Sequence, residues 1–169
     1  NLTRYDRCGR PVEYVDALGQ VTSLERDAAG RVVVLRRPGG VETRYTHDRC
    51  GRLAAVTDAT GATITFSYSP DGHLSRQVDP TGEATTFERD ALGRVVRHRV
   101  PGLGTSTWAY DLAGRVVRAR DYLWGTRRFR YDAAGQLVEA INALGGSTHY
   151  TYDALGRMVA ITDPLGNTT

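Results

Sequence analysis

Eight glycines set the terms for this chain: Gly9, Gly30, Gly51, Gly72, Gly93, Gly114, Gly135 and Gly156 follow one another at 21-residue intervals without a slip. A fixed period of this length is the signature of a repeat architecture and takes precedence over local propensity. Three residues before these glycines stand Asp6, Asp27, Asp48, Asp90, Asp111, Asp132 and Asp153, with Ser69 the exception. The residue after each glycine is Arg10, Arg31, Arg52, Arg94, Arg115 and Arg157, with His73 and Gln136 as departures. An aspartate side chain can accept from backbone amides further along a turn, and glycine can leave that turn at positive φ.

A second turn lies about half a period away, as in Asp16-Ala17-Leu18-Gly19, Asp58-Ala59-Thr60-Gly61, Asp79-Pro80-Thr81-Gly82, Asn142-Ala143-Leu144-Gly145 and Asp163-Pro164-Leu165-Gly166. Removing two four-residue turns from each period leaves segments of strand length, which are too short for stable helices and alternate with period two. The spacing predicts an all-β chain of tandem 21-residue hairpins over residues 1–169, a single array of eight repeats. The second turn degenerates in Val100-Pro101-Gly102-Leu103-Gly104 and in Asp121-Tyr122-Leu123-Trp124-Gly125, where a bulge or bend is expected. So wide an antiparallel sheet is expected to twist and curve.

Six residues before the turn glycines run Leu24, Tyr45, Phe66, Phe87, Trp108, Phe129 and Tyr150. From Tyr45 onward they form an aromatic stripe. Four residues before them run Tyr5, Arg26, His47, Tyr68, Arg89, Tyr110, Tyr131 and Tyr152 on the same face. A simple turn would set the stripe opposite Val12, Val33, Ala54, Ser75, Val96, Val117, Val138 and Val159. It would also set Tyr5 against Arg10, Tyr110 against Arg115 and Tyr152 against Arg157. The other face reads as polar, with one apolar residue per unit: Val32, Leu53, Leu74, Val95, Val116, Leu137 or Met158. A single hairpin is marginal, so stability is expected to come from neighbouring repeats.

Little points to chemistry. The net charge of +3 is carried by arginines with no lysine at all, matched by almost as many acids, which argues against a nucleic-acid footprint. No apolar run is long enough to span a membrane. Cys8 and Cys50 sit two repeats apart, too far for a disulfide across a regular meander, and free thiols are expected. His47, His73, His98 and His149 have no metal-ligand spacing and are read as surface residues, and each turn supplies too few oxygens for calcium. No catalytic residue, cofactor site or metal site is expected.

The unit Tyr152-Asp153-Ala154-Leu155-Gly156-Arg157-Met158, with Tyr110-Asp111-Leu112-Ala113-Gly114-Arg115 and Tyr131-Asp132-Ala133-Ala134-Gly135-Gln136, resembles the YD repeat of the Rhs family. That family includes Rhs polymorphic toxins, the shell subunits of insecticidal toxin complexes and the teneurins. The resemblance implies a segment of a spiral β-shell that encloses a toxic C-terminal polypeptide, and a secreted or delivered bacterial protein. It carries over no catalytic residue, and Asp79-Pro80 and Asp163-Pro164 read as repeat turns rather than cleavage sites. The expected partners are the remainder of the parent shell and its enclosed polypeptide. Self-association through open sheet edges is a further expectation, and the array is read as a fragment of a longer one. The rival reading is a module whose aromatic stripe binds glycan or a receptor.

Overall fold

The computed structural model describes residues 1–169 and resolves two compact units, Asn1–Ala84 and Thr85–Thr169. The first carries β1 (Leu2–Tyr5), β2 (Pro11–Val15), β3 (Val21–Arg26), β4 (Val32–Arg37), β5 (Val41–His47), β6 (Leu53–Thr57), β7 (Thr63–Tyr68) and β8 (Leu74–Val78). The second carries β9 (Ala84–Arg89) apart from its first residue, β10 (Val95–Val100), β11 (Gly104–Tyr110), β12 (Val116–Asp121), β13 (Gly125–Tyr131), β14 (Leu137–Ile141), β15 (Ser147–Tyr152) and β16 (Met158–Thr162). Within each unit, strands pair antiparallel with their sequence neighbours and nothing crosses over. The fold is the all-β hairpin array that the period requires. The helical content is one 3-10 turn, Pro38–Gly40.

The aspartate turns form as their chemistry dictates. At the first, Gly9 N–H donates to the Asp6 carbonyl at 3.0 Å and Asp6 N–H to the Arg10 carbonyl at 2.8 Å. Asp6 Oδ1 accepts from the amides of Cys8 at 2.8 Å and Arg10 at 2.9 Å, and Gly9 takes φ +75°. An L side chain at that φ would clash with its own backbone, which is why the position is glycine.

The register departs from a simple hairpin, and in every repeat. Tyr110 stands opposite Val116 while Ala109 stands opposite Arg118, so Val117 is an extra residue in a β-bulge. The same shift recurs in all eight hairpins closed by the periodic glycines, the seven with Asp and the one with Ser69. The bulge expected at the degenerate turns is therefore misplaced. There the pairing is regular down to Val100–Gly104 and Asp121–Gly125 around three-residue loops.

One inserted residue redirects the faces. The stripe is paired with the fifth residue after the glycine, not the third: Tyr45 with Val56, Trp108 with Ala119, Phe129 with Ala140 and Tyr150 with Ile161. The apolar residues assigned to the polar face instead share shallow grooves with the rings. Val116 and Leu137 line one with Trp108, Phe129 and Tyr131. The visible trace of the bulge is the adjacent apolar pair after most of the turns, such as Val116-Val117, in a strand that otherwise alternates, although Leu74-Ser75 lacks it.

There is no thick core. Val34, Ala119 and Ser106 are the buried residues, and the stripe rings are half-buried. Large apolar side chains such as Leu112, Leu144 and Leu165 stand fully out at turn tips.

Candidate functional site

The functional geometry lies between repeats, where the Tyr, Asp and Arg of the turn signature meet. The Tyr68 hydroxyl donates to the Leu53 carbonyl of the preceding repeat at 2.8 Å. Tyr110 does so to Val95 at 2.8 Å, Tyr131 to Val116 at 3.0 Å and Tyr152 to Leu137 at 3.0 Å, each across 15 residues. Arg26, which replaces the tyrosine in its repeat, reaches the equivalent carbonyl of Pro11 at 3.1 Å. The residue type changes and the latch survives.

The arginine completes the staple. Arg115 Nε donates to Asp111 Oδ2 of its own turn at 2.7 Å, and its guanidinium lies 4.7 Å from the ring centroid of Tyr131 in the next repeat. Arg52 covers Tyr68 at 4.6 Å and Arg94 covers Tyr110 at 4.4 Å. The cation–π pairs predicted inside a repeat, such as Tyr110 with Arg115, are thus formed with the following repeat. Within the repeat the arginine belongs to the aspartate. The bulge accounts for this, since it sets each tyrosine opposite the second residue after the glycine.

These contacts favour the ionised form of six turn carboxyls. Asp6, Asp48, Asp111 and Asp153 are lowered below their ordinary 3.8 mainly by the backbone amide of the following Arg. For Asp27 and Asp90 the guanidinium hydrogen bond is the main cause.

The histidines divide. His73 and His149 are exposed, whereas His47 and His98 are half-buried on the aromatic face, which corrects their reading as surface residues. His98 stacks on Phe87 with centroids 4.6 Å apart and planes 8° from parallel. His47 stands at a latch position, and its Nδ1 is buried with no partner. A groove of about 310 Å³ lined by Leu24, Val32, Leu35, Tyr45 and His47 opens beside it. Cys8 and Cys50 are exposed free thiols. No three His, Cys, Asp or Glu side chains gather to form a metal site.

A repeat whose Tyr, Asp, Gly and Arg clamp it to the next one is a unit of extension. A family model described as RHS Repeat matches residues 5–42, 35–63, 68–102 and 125–168, which together make up most of the chain. The chain belongs to the RHS-repeat family. Its fold is similar to the Photorhabdus luminescens Tc holotoxin pore, at 20% identity and a TM-score of 0.66 over 89% of this chain and 9% of that one. It is also similar to TcdB2-TccC3, at 17% identity and a TM-score of 0.69 over 98% of this chain and 12% of that one. At such identities the likeness is one of fold, and the RHS array spans about a tenth of the length of those chains. No curated protein matches its sequence.

In these RHS repeats the aromatic stripe Tyr45, Phe66, Phe87, Trp108, Phe129 and Tyr150 is held by cross-strand pairing, with shallow grooves between rings. One such groove, of about 250 Å³, is lined by Phe87, Val95, His98, Trp108 and Tyr110. What sequence reasoning missed is the carbonyl two residues after each turn glycine, the acceptor for the next tyrosine. A backbone acceptor leaves no residue signature.

Proposed function

We infer that this RHS array is a scaffold, a segment of a β-sheet shell that encloses a toxic polypeptide in a secreted or delivered bacterial protein. The observation that carries this reading is the inter-repeat latch. Wherever the tyrosine is present from Tyr68 onward it joins its hairpin to the preceding one, and so spends the repeat's polar chemistry on extending a wall. The signature residues Gly9, Gly30, Gly51, Gly72, Gly93, Gly114, Gly135 and Gly156, with their aspartates, then act as structural turns rather than catalytic groups. The fold shared with the Tc holotoxin pore supports the same direction. The partners on this reading are the rest of a shell and the polypeptide inside it.

The test is protease protection in the protein that carries the array together with the polypeptide encoded beside it. The enclosed polypeptide is expected to survive trypsin until the shell is opened by denaturant. Digestion at the rate of the isolated polypeptide removes the reading.

A glycan-binding reading draws on the open grooves beside Phe87 and Trp108. It is the weaker one, because Tyr68, Tyr110, Tyr131 and Tyr152 already spend their hydroxyls on backbone carbonyls. A sugar needs such groups to fix its orientation. Specific binding on a glycan array, lost in Trp108→Ala, would reverse the order.

A further inference from the structure

The repeat pattern dictates the aromatic face and leaves the opposite face free to vary, and there the two units differ. In the first unit the arginines on that face are largely matched to carboxylates. Arg4 pairs with Glu13 at 3.0 Å, Arg36 with Glu42 at 2.8 Å and also with Glu25, and Arg44 with Glu42 at 2.6 Å. In the second unit β10, β12 and β13 place Arg97, Arg99, Arg118, Arg120, Arg128 and Arg130 at alternate positions, all exposed. Glu88 takes Arg97 at 3.3 Å and Glu139 takes Arg130 at 3.0 Å. Arg99, Arg118, Arg120 and Arg128 are left without a carboxylate.

This arrangement works against the sheet. Arg118 and Arg128 are direct cross-strand partners, and like charges directly opposite destabilise a pair. An open groove of about 1030 Å³ crosses the same face, with Arg97, Arg99 and Arg120 among threonines on its walls. Its two carboxylates are already engaged, Glu88 as above and Asp121 by Arg127 at 3.0 Å. The groove therefore presents hydroxyl groups and the charges of Arg99 and Arg120, with no carboxylate left free to balance them.

We propose that the arginine face of β10, β12 and β13 is a docking surface for an extended acidic polypeptide segment. Arginines two apart on a strand repeat at roughly 6.6 Å, the spacing of alternate side chains on an extended partner chain. A guanidinium fork matches a carboxylate in plane and in donor geometry. Thr105 and Thr107 supply hydroxyls between the charges. A single-stranded nucleic acid would need aromatic platforms for its bases. The groove carries a single ring, Tyr122 at its end, while Phe87, Trp108, Tyr110 and Phe129 lie on the opposite face, so no run of platforms is present. The surface stands on its own charge, whether or not the array encloses anything, and its test involves no proteolysis.

The experiment is fluorescence anisotropy with the full chain and a short labelled peptide of alternating Glu and Thr, with a Lys-and-Thr peptide as counterpart. Binding of the acidic peptide alone is expected, weakening steeply as salt rises. The variant R99Q/R118Q/R120Q should weaken it about tenfold or more. R36Q/R44Q, on the neutralised face of the first unit, should leave it unchanged. Arg118→Thr alone should weaken binding while raising the melting temperature, which a purely structural arginine would not do. The proposal fails if neither peptide binds, if both control and triple variants lose binding equally, or if polyuridylate outcompetes the acidic peptide at equal charge.

Discussion

The tyrosine hydroxyl is the residue-scale feature on which neighbouring repeats depend. Tyr131→Phe removes one hydrogen bond and keeps the ring under Arg115, so it is expected to cost about 0.5–1.5 kcal/mol by chemical denaturation. The converse substitution is available at His47, where Nδ1 is buried without a partner and a groove lies open beside the ring. His47→Tyr should let a hydroxyl reach the Val32 carbonyl and raise stability by about 0.5–1.5 kcal/mol, read as a higher denaturant midpoint. A pair of glycines separates backbone strain from latch geometry. Gly9→Ala meets open space and is expected to cost about 1–2 kcal/mol from its positive φ alone. Gly30→Ala carries the same strain and also sets Cβ against Arg10 Nη1, the far end of a side chain that has to swing aside, so it should cost slightly more. Equal losses at the two positions would mean that Arg10 swings clear of the turn at no cost.

At the scale of the element, each Asp–Gly hairpin is a turn, a bulge and an ion pair acting together. The carboxyls of Asp6, Asp27, Asp48, Asp90, Asp111 and Asp153 titrate below their ordinary 3.8 in the folded chain. A group depressed in this way contributes stability that is fully present above its unfolded value and is lost as pH falls through the folded one. The array is therefore expected to hold its β-sheet circular dichroism above pH ~4 and to lose stability progressively in more acid solution. Asp111→Asn should flatten that acid slope, and an unchanged slope would remove the carboxyl from the account. The bulge explains why the hairpin was only half legible in the sequence. The glycine period and the aspartates locate the turns, but a single inserted residue turns Val116 toward the rings and pairs Trp108 with Ala119. Period-two counting cannot register an insertion that repeats in every copy, except through the doubled apolar pair it leaves behind.

On the scale of the whole molecule, stability is distributed along the chain, since Val34, Ala119 and Ser106 are the buried residues. A quasi-one-dimensional array couples each repeat to its neighbours and little beyond. Tyr131→Phe is accordingly expected to speed amide hydrogen exchange from β12 to β15 and to leave β1–β6 at the parent rate. Uniform acceleration along the chain would mean a single cooperative core. The face opposite the rings belongs to this scale as well, because charge there accumulates over several strands and no single repeat contains it.

By itself the amino-acid sequence determined the architecture: glycine at positive φ and aspartate as amide acceptor are local requirements, and eight copies in register leave one topology for them. The family resemblance rested on the same residues, and so did the expectation of a scaffold. Only the tertiary structure decided which residues meet across repeats. Tyr131 reaches a carbonyl of the preceding repeat, Arg115 covers a ring of the following one, and four arginines gather without carboxylates. Those outcomes depend on the bulged register, which is set by how two strands fit side by side and not by the identity of any one residue.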